Sequence, residues 1–321
     1  MKNVSLRKID IPATLVLLGI TFTWSTGPLF VRQFYREGLA VWDMNLFRYV
    51  MAVLLLWLTV VLKHYARRGG GETAMATGRL WRRALMPALP ALGAQVFFSW
   101  SVYYLQPGLV GILHKQSVIW AVLFAMFFFA DERSLLRSGR FWIGSLCGVV
   151  GVVGVMALRK DVAWEGEWLG VLFIFIFSVC WGFYGVTIRR FTRHIDPVRG
   201  CTMVMTYMTA VLLVLFLFLG EPQMFRQIQV RVWGLLLLSS VIHLYLPYMG
   251  MYWVITHIGV TITNTTLLLT AFLTPLFSWL IFSEQLTVGQ WGSGIILVFG
   301  AAITMMTERK IQEPELLIVP D

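Results

Sequence analysis

The stretch GILHKQSVIW, from Gly111 to Trp120, sets His114, Lys115 and Gln116 in a row between a Gln-Pro-Gly turn and a long apolar run. A lysine in such a run is a compact cation that can hold an anionic group as a point charge. Held deep in a bilayer it costs about 2.5–3.5 kcal/mol, and an ionisable group there reads as a working residue by default. Few others share that position: His243 in the middle of a later apolar run, and Arg48 nearer the end of an early one. An imidazole titrates in the physiological range, so His243 is the expected proton-responsive coupling group, with a helix-to-helix hydrogen bond as the competing reading. No Asp or Glu lies deep in any apolar run, so the buried charge is net positive and suits an anion or a carboxylate-bearing molecule. No zinc-protease motif, paired intramembrane aspartates or nucleophile–base set appears. The three cysteines, Cys147, Cys180 and Cys201, are odd in number and lack metal-type spacing, so neither a metal nor a cofactor is expected.

The elements that must carry these residues are membrane helices. Of 321 residues, 58% are hydrophobic and 13% charged, with mean hydropathy +0.74. A soluble core cannot absorb that excess over the usual composition, so a lipid bilayer is the expected partner. Apolar windows predict ten spans, at 11–31, 42–62, 84–104, 108–129, 141–158, 167–187, 200–220, 232–253, 260–282 and 288–306. The first follows Lys2, Arg7 and Lys8 as a signal peptide would, but it is long enough to span and no small-residue cleavage pattern follows. Ten spans put both termini on one side. That side collects the Lys and Arg of 2–8, 63–83, 133–140, 189–199 and 309–310, and the other only Arg32, Arg36, Arg159, Lys160, Arg226 and Arg231. The positive-inside rule makes the first side cytoplasmic, and it absorbs the net charge of +10 without invoking nucleic acid. The expected place is a cell membrane, of the bacterial inner-membrane type, crossed many times.

The chain repeats itself. WSTGPLFVRQF begins at Trp24 and WGFYGVTIRRF at Trp181; later, Phe129-Ala-Asp-Glu132 and Phe282-Ser-Glu284 each lead into a glycine-rich span. Two units of five spans, 1–160 and 161–321, follow. Five is odd, so the second is inverted in the membrane, an arrangement that places a site near the midplane between the halves. Aligning the halves sets His114-Lys115-Gln116 against Asn264-Thr265-Thr266, two polar patches facing across a central cavity. Lys115, Gln116, His114, Trp24, Asn264 and Tyr103 are the expected substrate residues. The competing reading of Lys115, seven residues into its span and so about 10 Å deep, is that it snorkels to the headgroups. The glycines of spans five and ten are expected to pack helices inside the chain, with a homodimer face as the alternative.

With its Trp24-Ser25 and Trp181-Gly182 starts, Arg48 early in span two, and Glu132 and Glu284 closing spans four and nine, the chain resembles the drug/metabolite transporter superfamily, in its EamA-type group. It departs in having no proline between Pro107 and the end of span four, and no counterpart of Arg48 in span seven. The resemblance implies a ten-helix all-α fold of two inverted repeats. It also implies a permease moving a small metabolite, such as an amino acid, by alternating access. The competing expectations are a membrane-embedded enzyme acting on lipid, and a non-transporting receptor or accessory subunit; a cavity lined by both halves discriminates against them.

Overall fold

The computed structural model describes residues 10–66, 78–128, 138–158, 164–191, 196–224, 228–258, 263 and 266–316. Among these residues the chain makes ten helical passes. They are α1 (Ile11–Arg36), α2 (Val41–Ala66), α3 (Gly78–Tyr104), α4 (Pro107–Phe128), α5 (Gly139–Ala157), α6 (Trp164–Phe191), α7 (Pro197–Leu219), α8 (Val230–Ser239, continuing through Ser240–Tyr245 and Leu246–Ile258), α9 (Thr270–Phe282) and α10 (Val288–Leu316). Seven are long and apolar enough to cross a membrane, and the apolar stretches of α5, α9 and α10 are shorter. Lipid leaves backbone groups no outside partner, so helices that satisfy them internally are the form such a sequence must take.

Local chemistry starts and stops them. Asp10 caps α1 by accepting from the Ala13 amide at 3.1 Å, with Pro12 in the first turn, and Asp196 caps α7 in the same way through the Arg199 amide. Gly38, at φ +82°, turns the chain out of α1. The ninth span is interrupted: Thr266–Leu267 are helical, a turn follows at Leu268–Leu269, and regular helix resumes at Thr270.

Packing follows a two-fold pattern. The helices five apart pack directly on each other, α2 on α7, α4 on α9 and α5 on α10; α1 lies against α8 and α9 as α6 lies against α3 and α4. Each such partner pair runs in opposite directions, which is what an inverted repeat requires. Glycines let the backbones touch. A Cβ at Gly151 of α5 would stand 2.6 Å from the Leu297 amide nitrogen of α10, and one at Gly300 would stand 2.5 Å from the Gly144 carbonyl. The glycine stripe is thus occupied inside the chain. The core runs through Leu109, Leu113, Ile174, Leu236 and Leu297, while Leu58, Val149, Val153 and Leu217 stand exposed on the rim. That outward apolar belt is the surface lipid would cover.

Candidate functional site

Between the two halves lies a cavity of about 680 Å³ walled by α1, α2, α3 and α4 from one repeat and α6, α8 and α9 from the other. Arg48 of α2 and Gln95 and Phe98 of α3 line it. Its lining continues along Val122 and Ala125 of α4, Tyr184, Gly185, Val186 and Ile188 of α6 and Met251 of α8, in the halves of those helices nearest the basic loops. Aromatic side chains form the walls: Trp24 meets Tyr248 edge-on at 6.1 Å, and Phe177 stacks on Trp181 at 6.0 Å. Trp24 and Trp181, the matching landmarks of the two repeats, thus both face the cavity.

Three helices depart from regular winding here. In α4, His114–Gln116 tightens into one 3₁₀ turn, and Lys115 on that turn is buried at 6% exposure. Its Nζ donates to the Leu267 carbonyl at 2.9 Å. In an α-helix that carbonyl would receive the Ala271 amide; instead Ala271 donates to Leu268, so the Leu267 oxygen is free for Lys115 and the Thr270 hydroxyl. The ammonium therefore points across to the opposite repeat, and the snorkelling reading does not hold. In α8, Ser240–Tyr245 widens into a π-type turn that carries His243. His243 Nε2 lies 3.0 Å from the Thr26 hydroxyl and Nδ1 3.2 Å from that of Ser239, while the Trp24 indole donates to its carbonyl.

The far end of the cavity is shut. Arg32 donates to the carbonyls of Val102 and Tyr103 and lies 4.0 Å from the Glu284 carboxylate; Arg36 sits 4.3 Å over the Phe282 ring; and Arg231 pairs with Glu37 at 2.6 Å. Tyr103 donates its hydroxyl to the Leu39 carbonyl at 2.6 Å as part of that closure. Ser278 donates to the other Glu284 oxygen. The arrangement joins α1 to α9 and α8 on one side of the bundle and leaves the cavity to the other.

The sequence matches the EamA-like transporter family over residues 11–157 and again over 168–306. The chain belongs to this family. Among similar proteins, the uncharacterized transporter YyaM of Bacillus subtilis is 22% identical over 89% of this chain and 91% of its own length. An uncharacterized transporter of Haemophilus influenzae is 25% identical over 59% of this chain and 63% of its own length. A solved crystal structure superposes with TM-score 0.61 at 16% identity, covering 94% of this chain and 99% of that one, which shows the shared fold. The EamA-like chain is accordingly a multi-pass, all-α membrane protein.

Of the residues expected to bind substrate, Lys115, His114 and Trp24 line the cavity of this EamA-like protein, as does His243. Gln116 is buried beside the cavity without lining it, and Tyr103 belongs to the closure. Asn264, like the Glu132 landmark, lies outside the described residues. Arg48 and Gln95 line the cavity and were not among the expected substrate residues, although both are polar residues within apolar spans. None of the described lining residues is Asp or Glu.

Proposed function

We propose that this member of the EamA-like family is a secondary transporter that moves a small anionic or carboxylate-bearing metabolite, such as an amino acid, across the cell membrane by alternating access, and that it is not an enzyme. The observation that carries the reading is the cavity shared by both repeats, with the buried Lys115 ammonium in it and no carboxylate among its described lining residues. The cavity has the size of a small-molecule site. It approaches the side of the basic loops, while ion pairs and aromatic contacts close the other side. That asymmetry is what one end-state of an alternating-access cycle presents. In this reading both termini and the open end face the cytoplasm of a bacterial inner membrane.

The test is uptake by the full chain reconstituted in lipid vesicles, against a panel of amino acids, carboxylates, phosphate esters and organic cations. Anions should be carried. Lys115→Met keeps the side-chain length and removes the charge. It should insert normally and carry the same anion at least about tenfold more slowly, the cost of losing one charge-assisted hydrogen bond. Normal anion transport by that variant, or transport of cations alone, would overturn the reading.

A further inference from the structure

We propose that Arg48 is a second anion-binding group of the cavity, and that the substrate class is a small organic dianion with one oxyanion group on the Arg48 guanidinium and the other on the Lys115 ammonium. The proposal rests on the transport reading above and narrows its substrate.

Arg48 is 3% exposed and lines the cavity. Its Nε and Nη1 have no hydrogen-bond partner among the described residues, and no described ion pair reaches it. An isolated buried charge is costly unless something pairs with it. Several acceptors on its own and the facing helix are engaged elsewhere, and the buried Asp43 Oδ2, which has no hydrogen-bond partner, forms no described ion pair with Arg48. Asn45 Oδ1 takes the Gln95 amide at 3.1 Å and the Ser99 hydroxyl at 3.3 Å, Gln95 Oε1 takes the Tyr49 hydroxyl at 3.0 Å, and Asp43 Oδ1 takes the Glu221 amide at 3.0 Å. This chain pairs other arginines where it uses them for structure, as at Arg32 and Arg231. Arg48 is different: it is deep, lines the cavity and is left with a free planar fork, the geometry that receives a carboxylate or phosphate through two parallel bonds. Lys115, on another helix of the same cavity, has one bond to a neutral carbonyl and keeps its charge uncompensated. Two cations with no described lining carboxylate leave a charge that a dianion neutralises and a monoanion does not.

The experiment is a thermal-shift titration of the purified full-length protein at neutral pH with butyrate, succinate and 1,4-diaminobutane, matched in carbon number, and with other dicarboxylates and simple phosphate monoesters. Dianions should bind at least about tenfold more tightly than butyrate, the worth of one added ion pair. Arg48→Gln should bring the affinity for dianions down to that variant's own affinity for butyrate, and Arg48→Lys should fall between. Dianions that bind no better than butyrate, or as tightly to Arg48→Gln as to the wild type, overturn the proposal and leave the anion reading in place. No anion bound by the wild type overturns both. If Arg48→Gln does not purify as a monodisperse protein, the wild-type ratio of dianion to monoanion affinity decides, and a ratio near one overturns the proposal.

Discussion

His243 shows how a proton could be added inside this bundle without breaking a contact. Both of its ring nitrogens face hydroxyls, Thr26 and Ser239, and a hydroxyl can donate or accept. A neutral ring donates through one nitrogen and accepts at the other; a protonated ring donates through both once one hydroxyl has turned. The Thr26 contact also ties α8 to α1, so the residue serves packing in either state. We propose the coupling role for it, and His243→Gln, which stays polar and does not titrate, should flatten the pH profile of transport in reconstituted vesicles. A profile identical to the wild type would leave His243 as a helix tie alone. Lys115 adds the complementary lesson, that its buried bond exists because α9 leaves the Leu267 carbonyl unclaimed by the helix.

Helix ends, rather than helix middles, close the far side of the cavity. The C-terminal turns of α1 and α9 meet through Arg32, Arg36, Phe282 and Glu284, and α8 joins through Arg231 and Glu37. Burial raises the Glu284 carboxyl above the usual carboxylate range, against the opposing pull of the Ser278 hydroxyl, Arg32 and Arg36. The sign follows directly: as pH falls on that side, Glu284 takes up its proton earlier than an ordinary glutamate and the attraction to Arg32 is lost. Acidification should therefore favour opening of the far end. A single cysteine placed by Val118→Cys in a cysteine-free background reports it, through labelling from the far side with a membrane-impermeant thiol reagent. Labelling should increase as pH is lowered, and in Glu284→Gln it should be high and independent of pH. Wild-type labelling that does not change with pH would remove Glu284 from the closure.

For the molecule as a whole, α2, α4 and α5 each pack on the helix five places along the chain, and the cavity lies where the two repeats meet. The direction of the whole bundle is a single choice, and we propose that the basic loops make it. A reporter that folds only in the cytoplasm, fused after Asp321, should be active. An inactive fusion in a protein shown to be expressed would reverse the assignment of open and closed ends.

The number of spans, their order and the repeat could be read from the residues, because lipid demands long apolar helices and because Trp24, Trp181, Phe129 and Phe282 recur in matching order. The short list of buried charged residues could be read as well, since charge is rare in such runs. Which way each of them faces could not. A lysine about 10 Å deep can reach headgroups or a cavity, and the rotation of its helix decides between them. That rotation is set by packing, here of α4 on α9, with a Cβ at Gly111 only 2.5 Å from Thr274. The same applies to Tyr103, a plausible cavity residue by position that the fold turns to Leu39. Arg48 is the reverse case. From sequence it is one of the few ionisable residues in the apolar runs, early in span two, and only the tertiary arrangement shows that its guanidinium lines the cavity with Nε and Nη1 unpartnered.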